Sequence, residues 1–360
     1  MARDEEQVLE AIERRRRRPV RRLLDERITL AHGAGGKSSH ALIEALFLPE
    51  LGNALLEPLA DSALLQPNGS EQRLAFSTDS YVVRPLFFPG GDIGELAVNG
   101  TVNDLAMSGA RPLCLSAAFI VEEGFPTDDL RRIAASMGSA TREAGVAVAA
   151  GDTKVVERGK ADGVYITTAG VGVLERDSAL LPSSVRAGDR VLVSGTIGDH
   201  GMAIMIARGE LELEVELASD TAPLASLVDA LLDATNGVRV LRDPTRGGLA
   251  TVLAELALAA EVGIAVDERA LPIRQEVNGA CEILGIDPLY VANEGKLIAV
   301  VAPEAAEPAL AALRAHPLGK EAAVIGEIRE EPPGLVLLET AFGGSRVVDM
   351  LAGDPLPRIC

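Results

Sequence analysis

The sequence has no tryptophan and only three cysteines in 360 residues. The cysteines, Cys114, Cys281 and Cys360, are too few and too widely spaced for a disulfide framework or a cysteine-rich zinc site. Cys114 and Cys281 stand among apolar residues, and we expect both to be core residues. Thiols of this kind are typical of a reducing compartment.

Long apolar runs and an excess of positive charge are also lacking. No apolar run approaches the roughly 20 residues that span a bilayer, and the N-terminus has charges but no apolar signal segment. The net charge of −19 argues against nucleic acid and anionic membranes as partners. An acidic protein can still bind a nucleotide where Mg²⁺ and backbone amides supply positive charge. We therefore expect a cytoplasmic protein.

The length and the abundance of alanine, glycine and valine favour a two-domain α/β enzyme. We divide the chain into a basic lead-in (1–27), two α/β domains (28–178 and 179–340) and a tail (341–360). The arginine run in the lead-in is typical of a solvated face or a flexible arm. Strand-like and helical segments alternate in both domains.

The chain ends on a cysteine, Cys360, preceded by Pro355-Leu-Pro-Arg-Ile. Nine extended residues before it would reach roughly 30 Å, and the prolines favour a stiff leash. A prenylation motif is excluded because it places residues after its cysteine. The pattern predicts a flexible tail carrying a movable thiol, with a frayed end as the alternative.

A glycine turn, Gly33-Ala-Gly-Gly36, leads into a helical pattern and could present backbone N–H groups to an anion. Its spacing fits neither the P-loop nor the dinucleotide fingerprint. Phosphate contact through Gly35 and Gly36, with Lys37 as a weaker candidate, is therefore one of two interpretations. The other is an ordinary turn.

Aspartates follow strand-like runs or lie on a helix in the first half. Asp79 ends one strand, Asn103 and Asp104 lie on a helix, and Asp152 follows the strand 146–150. Asp61 is a further candidate. Several hard oxygen ligands without histidine or cysteine suit Mg²⁺ bound to phosphates. Each aspartate alone would more commonly be a turn or cap residue.

The second half adds two candidates. Glu294 lies in the turn Asn293-Glu-Gly295, either as a functional carboxylate or at a hairpin tip. His200 follows Gly198-Asp199, where a structural turn histidine is favoured over an acid or base.

Eight segments taken together resemble one family, the HypE carbamoyl dehydratases of [NiFe]-hydrogenase maturation, within the PurM-like superfamily. The segments are Ala31–Gly36, Phe76–Tyr81, Asn99–Asp104, Gly151–Val156, Ser194–Gly201, Arg242–Gly248, Ala292–Lys296 and Pro357–Cys360. They run in one order from about residue 28 to the end. The terminal Pro-Arg-Ile-Cys distinguishes HypE from other PurM-like proteins, and the lead-in is not required by the family pattern.

The resemblance implies a function. A HypF-type carbamoyltransferase would load a carbamoyl group onto Cys360. ATP would then drive dehydration of this thiocarboxamide to a thiocyanate, and the nitrile would pass to iron on a HypC–HypD scaffold. It also implies two PurM-like domains with mixed or antiparallel sheets backed by helices, and a homodimer.

The resemblance also implies site roles. Mg²⁺ would be held by Asp79, Asp104 and Asp152, with Asp61 less surely, and ATP by Gly35, Gly36, Asn103 and Asp152. The dehydration needs a base for the N–H proton, and Lys154 and Glu294 both remain candidates. The rivals are another PurM-like ATP-dependent synthetase, or a non-catalytic carrier that only presents a loaded thiol.

Overall fold

The computed structural model describes residues 26–67, 71–176, 180–209, 216–351, 353 and 356–360. The basic lead-in lies outside the described residues except for its last two, so the interpretation of its arginine run stays a prediction. In the described part, no helix is both long enough and apolar enough to cross a membrane.

The first half forms a five-stranded mixed sheet. Its strands are Ala63–Leu65 (β1), Arg73–Tyr81 (β2), Ala110–Glu122 (β5), Ala147–Val156 (β6) and Val164–Leu174 (β7). A separate hairpin pairs Phe87–Phe88 (β3) with Gly91–Asp92 (β4). The sheet order is β1-β2-β7-β5-β6, and only β5 and β6 run parallel.

Helices accompany this sheet, and the helix Ile93–Met107 packs against β2, β5 and β7. They are Lys37–Leu42 (α1), Leu48–Leu51 (α2), Ile93–Met107 (α3) and Thr127–Glu143 (α4), with a π-helical turn at Ile43–Phe47 between the first two. The Asp92 carboxylate caps α3 by accepting hydrogen bonds from the N–H groups of Gly94 and Glu95 at 2.7 and 3.1 Å. Because α3 is buried along nearly its whole length, it is the central helix of the fold.

The second half forms a seven-stranded mixed sheet in the order β14-β13-β10-β12-β8-β11-β9. Its strands are Arg190–Val193 (β8), Val238–Arg242 (β9), Gly263–Asp267 (β10), Ile298–Val301 (β11), Ala323–Arg329 (β12), Val336–Glu339 (β13) and Ser345–Val348 (β14). Its helices are Asp199–Ala207 (α5), Ala225–Ala234 (α6), Gly248–Ala260 (α7), Gln275–Leu284 (α8) and Ala306–Ala315 (α9). Short 3₁₀ turns lie at Leu30–Gly33, Pro182–Ser184, Glu268–Ala270, Pro288–Tyr290, Pro303–Ala305 and Pro317–Gly319.

Three expectations need correction. The tail does not begin at residue 341, because β14 pairs with β13 and continues the second sheet to Val348. The strand 146–150 does not end before Asp152, because β6 runs on to Val156. Cys281 is buried as expected, but Cys114 is only partly buried.

The two halves share apolar core. Met107 of α3 packs in one cluster with Leu192 and Leu224 from the second half. A second cluster joins Tyr81 and Met202 to residues of the C-terminus, including Cys360. The seam between the halves is therefore a packed interior, and the end of the chain lies within it.

Candidate active site

The last residues of the chain pair with the segment that follows β2. Val82 donates its N–H to a terminal oxygen of Cys360, and Arg84 donates its N–H to the carbonyl of Arg358, both at 3.1 Å. The Arg358 guanidinium in turn donates to the Val82 carbonyl at 3.1 Å and forms an ion pair with Asp162. These bonds fasten the terminus to the first domain.

Helix α5 of the second domain holds the same residues from the other side. Arg208 donates to the carbonyls of Pro357 and Arg358, the latter at 2.7 Å. His200 Nε2 lies 3.0 Å from the carbonyl oxygen of Ile359. The expectation of a flexible tail therefore does not describe residues 356–360, where Ile359 and Cys360 are buried.

A cavity of about 60 Å³ lies beside the terminal cysteine. Its walls come from the glycine turn, the segment after β9, the 290–292 turn and the tail, through Gly33, Arg246, Tyr290, Ala292 and Cys360 among others. It has room for a group of carbamoyl size but not for a nucleotide. A nucleotide would therefore have to bind outside this cavity.

The glycine turn contacts this site mainly by close packing, and the N–H group of Gly35 already has a hydrogen-bond partner. Gly35 has a φ of +78°, and a β-carbon there would come within 3.1 Å of Arg246 Cβ. Its N–H donates to Ser39 Oγ at 2.9 Å. The Lys37 side chain forms an ion pair with Asp349. The turn therefore needs glycine for close packing, and Gly36 remains the better phosphate candidate.

Carboxylates gather beside the docked tail. Asp79 lies on β2, Asp104 on α3, Asp243 directly after β9, and Glu294 in the 292–296 turn; Ser77 Oγ donates to Asp104 at 2.6 Å. Burial, and then the charge of Asp243, raises the pKa of Asp104 well above its ordinary value. Burial, and then Asp61, raises the pKa of Asp243 to about 8. Burial likewise raises the pKa of Glu294, with Asp243 the next cause.

Two arginines compensate part of this negative charge. Arg242 forms a largely buried ion pair with Asp61, so one oxygen of this candidate ligand is already engaged. Arg246 Nη2 lies 3.8 Å from Asp79 Oδ1. The negative charge of Cys360, and then that of Asp79, holds the pKa of Arg246 above its ordinary value. Arg246 is thus the cation placed between the tail and the carboxylates.

A buried ion pair holds the main chain at Glu294. Asp220 Oδ1 accepts the Glu294 N–H at 3.0 Å, and Asp220 Oδ2 lies 3.1 Å from Lys296 Nζ. A β-carbon on Gly295 would come within 1.7 Å of the Asp220 carbonyl oxygen, so the turn fits only glycine there. The side-chain oxygen Oε1 of Glu294 is buried and accepts no hydrogen bond from the described residues. It is therefore an acceptor that is still unused by the described residues.

Asn103 supports the same turn rather than a nucleotide. Its amide nitrogen donates to the carbonyls of Ala222 and Glu294 at 3.1 and 3.2 Å. Its amide oxygen accepts the N–H of Leu224 at 2.8 Å. Because these bonds use both ends of the buried amide, Asn103 is a structural link and not a contact to ATP.

Asp152 and Lys154 do not join the cluster within one chain. Strand register places Thr168, Ala117 and Gly151 in line with Asp79 across the sheet. Side chains alternate along a strand, so Asp152 and Lys154 point to the opposite face from Asp79, three strands and roughly 15 Å away. They form an exposed ion pair with each other, Nζ to Oδ2 at 2.6 Å. The sequence-based grouping of Asp152 with Asp79 and Asp104 is wrong for a single chain.

The carboxylates fit Mg²⁺ only together with phosphate. In the described part of the chain, no three histidine, cysteine, aspartate or glutamate side chains converge closely enough to hold a metal ion. Mg²⁺ is commonly bound by one or two carboxylates plus substrate phosphates. Asp243 is buried, Asp79 and Asp104 are partly buried, and all three are incompletely neutralised, so they suit that role.

Sequence reasoning missed Asp243, Arg246 and the Asp220–Lys296 pair. Asp243 follows β9 directly, the same signal that singled out Asp79, and Arg246 lies in the same Arg242–Gly248 segment. Asp220 and Lys296 have no such local signal, because they meet only through the tertiary fold.

Comparison with known proteins identifies the fold and the family. Residues 59–174 match the model of the AIR synthase related protein N-terminal domain, and residues 186–337 match that of the C-terminal domain. The chain is 54% identical over 335 residues to the carbamoyl dehydratase HypE of Cupriavidus necator, covering 93% of this chain and 95% of that protein. The chain belongs to the HypE family. It is thus an enzyme of the carbamoyl dehydratase class, involved in hydrogenase maturation.

Solved HypE structures match the architecture as well. A HypE–HypF complex contains a chain 49% identical to this one, with a TM-score of 0.82 over 86% of this chain and 100% of that one. A HypE structure in complex with ATP is also 49% identical, with a TM-score of 0.77 over 92% of this chain and 100% of that one. The mixed α/β PurM-like fold is therefore confirmed.

The buried carboxylates predict a characteristic pH dependence. Asp243 has a pKa of about 8 in the fold against an ordinary value of 3.8, so the folded state retains a proton that the unfolded state has lost between these values. Stability therefore falls as pH rises through this window. Without nucleotide and Mg²⁺, we expect the free energy of unfolding to drop by about 2 kcal/mol from pH 6 to pH 8. Urea denaturation at both pH values measures it.

Asp243→Asn should weaken this pH dependence, because it removes one of the carboxyl groups whose pKa burial raises. Asp128→Asn, at an exposed ion pair with Arg131, should keep the wild-type slope. Identical slopes in the Asp243→Asn variant and the wild type would contradict the assignment.

Proposed function

We propose that this chain catalyses the ATP-dependent dehydration of a carbamoyl group carried on the thiol of Cys360. The observation that carries the proposal is the docking of the terminal cysteine at a cavity of carbamoyl size lined by Arg246, whose charge also interacts with Glu294. A carrier that only presents its thiol would not need a buried carboxylate linked to the docked end in this way. Binding of ATP by a HypE relative supports ATP as the energy source.

The reaction converts a thiocarboxamide into a thiocyanate. The carboxamide oxygen attacks the γ-phosphorus of ATP, ADP leaves, and the nitrogen gives up the first of its two protons, so that an O-phosphorylated imidate remains on sulfur. Loss of the second N–H proton to a base and cleavage of the C–O bond then release inorganic phosphate and form the C≡N bond. Phosphorylation matters because a carboxamide oxygen is a poor leaving group. Such phosphoryl transfer depends mainly on positioning and charge neutralisation.

Asp79, Asp104 and Asp243 would hold Mg²⁺ against the phosphates of ATP, with Asp61 restricted by its pairing with Arg242. The ion, when bound, would neutralise charge that develops on the phosphates. The Gly35–Gly36 turn packs against Arg246, and Gly36 would contribute its backbone amide there. Arg246 would hold the terminal cysteine near these groups through its positive charge.

Glu294 is the proposed base for the N–H proton. Its carboxylate is buried and Oε1 accepts no hydrogen bond from the described residues, so it is positioned to receive a proton. Burial raises its pKa, while Arg246 opposes this rise. Lys154 is the alternative base, but the Lys154 of the same chain points away from the site. A Lys154 that acts there would have to come from a second copy of the chain.

A second copy of the chain is the proposed source of Asp152 and Lys154. They lie on an edge strand, on the outer face of the first sheet, where Phe76 is 41% and Ile120 is 42% exposed. An exposed apolar sheet face rimmed by functional side chains is typical of a homodimer interface. The site would then be completed across the dimer.

The proposed partners follow from the same chemistry. A HypF-type carbamoyltransferase would load Cys360, consistent with the complex that a HypE relative forms with HypF. A HypC–HypD iron scaffold would accept the nitrile. Since Cys360 is buried here, both exchanges require residues 356–360 to leave the cleft. The tail would therefore alternate between a docked state for dehydration and a released state for transfer.

Mass spectrometry of the C-terminal peptide tests the reaction. After incubation with the carbamoyltransferase, carbamoyl phosphate and ATP, we expect wild-type peptide to gain a carbamoyl group and then lose one water. Glu294→Gln should accumulate the carbamoylated peptide, with dehydration slower by at least about 100-fold, because its base is lost. Glu276→Gln, on the first turn of α8, is the matched control and should behave as wild type. Product formation that survives Cys360→Ala would refute the proposal.

Subunit complementation tests the shared site. Heterodimers of Lys154→Ala and Glu294→Gln chains, isolated with two affinity tags, should regain about half the wild-type activity, because one of two composite sites is intact. Heterodimers of Cys360→Ala and Glu294→Gln chains should stay inactive, since both residues of a site come from one chain. No recovery in the first heterodimer would show that Lys154 acts within its own chain.

A further inference from the structure

The bonds that hold the docked tail fall into two sets. The carbonyl of Arg358 and the terminal oxygen of Cys360 accept backbone N–H groups of the first domain. The carbonyl of Ile359 lies between them and faces the second domain, where the His200 ring nitrogen lies 3.0 Å away. This carbonyl is the last before the thiol of Cys360, so its partner contributes to the position of the thiol in the cleft.

His200 is built to donate one hydrogen bond at this point. Its side chain is completely buried and packs edge-on against the Phe88 ring, with centroids 5.8 Å apart. Nδ1 lies 2.8 Å from Ser219 Oγ, and that oxygen also accepts the N–H of Thr221 at 3.1 Å. A carbonyl can only accept, so the proton must lie on Nε2, and Nδ1 then accepts from the Ser219 hydroxyl. Burial lowers the pKa of His200, which favours this neutral form.

The same segment leads directly to the proposed base. Ser219 fixes the His200 ring, and its neighbour Asp220 accepts the Glu294 N–H at 3.0 Å. Asp220 in turn is held by Lys296. A short chain of contacts therefore runs from the Ile359 carbonyl through His200 and residues 219–220 to Glu294. The contacts that position the tail and those that position Glu294 therefore belong to one connected network.

We propose that His200 is a positioning residue that seats the terminal cysteine by hydrogen bonding the Ile359 carbonyl, and that Ser219–Asp220 ties this seat to Glu294. His200 takes no part in proton transfer, because both of its ring nitrogens are engaged. The inference rests on the proposed function only for its effect on rate. The docking itself can be measured without any reaction.

His200→Asn and His200→Gln form a matched pair. Both bury an amide, but the shorter Asn reaches only the position of Nδ1, whereas the amide of Gln reaches that of Nε2. We expect iodoacetamide to alkylate Cys360 roughly tenfold faster in His200→Asn than in wild type, because a buried carbonyl loses its donor. His200→Gln should stay within about twofold of wild type. Peptide mass spectrometry quantifies each cysteine.

Cys281, on α8 beside α5, is the internal control for unfolding and should stay protected in both variants. Carbamoyl loading should be unchanged in both. Dehydration should fall in His200→Asn by about 10²-fold, the size expected for a misplaced reacting group, and recover in His200→Gln. His316→Gln is the control substitution and should leave all readouts unchanged, because His316 contacts Ser226 and not the tail.

Equal behaviour of the Asn and Gln variants, or unchanged alkylation of Cys360 in His200→Asn, would overturn the proposal. If Cys281 also reacts in the histidine variants, those variants are partly unfolded, and the Ser219→Ala variant tests the proposal in their place. Because it removes the hydroxyl that holds the His200 ring, this variant should raise Cys360 alkylation about threefold while Cys281 stays protected. An unchanged rate would contradict the proposed role of His200. If wild-type protein does not dehydrate the carbamoyl group but His200→Asn and His200→Gln still differ in Cys360 alkylation, the proposed function is refuted. The positioning role of His200 would then still hold.

Discussion

The hydrogen bonds that hold residues 357–360 between the two domains are the constraint on which the site depends. On one side the tail pairs with residues 82–84, which continue directly from the strand that carries Asp79. On the other it is held by α5 through His200 and Arg208. Each domain alone offers half of this groove. The seam thus brings the thiol of Cys360 to groups from both domains.

Electrostatics explains why this seam is poised for a cation and a phosphate. A chain of net charge −19 concentrates buried carboxylates around Asp104 and Asp243, where burial raises their pKa values. Arg242 and Arg246 neutralise only part of this charge. A site of this kind gains stability when a divalent ion arrives with its phosphates.

Much of this could be predicted from the sequence, because the relevant signals are local. A strand that ends in an aspartate singled out Asp79, a buried helix singled out Asp104, and a turn between Asn293 and Gly295 singled out Glu294. Asp152 and Lys154 were recognised as candidates, but their position depended on where β6 ends. Since β6 continues to Val156, side-chain alternation turns Asp152 away from Asp79.

What could not be predicted depends on contacts between distant segments. Asn103 looked like a site residue, yet both ends of its amide are used by the main chain of residues 222–224 and 294. His200 was expected to be a structural turn residue, and its ring contacts a carbonyl 159 residues later in the chain. Such pairings leave no periodicity or spacing, because they depend on how two domains pack.

The central claim is that the docked tail presents its carboxamide oxygen to ATP, so that this oxygen leaves with the phosphate. Loading Cys360 with ¹⁸O-labelled carbamoyl and adding MgATP for a single turnover tests it most directly. The account predicts one ¹⁸O in each inorganic phosphate released, in step with nitrile formation. Recovery of the label in water, with unlabelled phosphate, would contradict it.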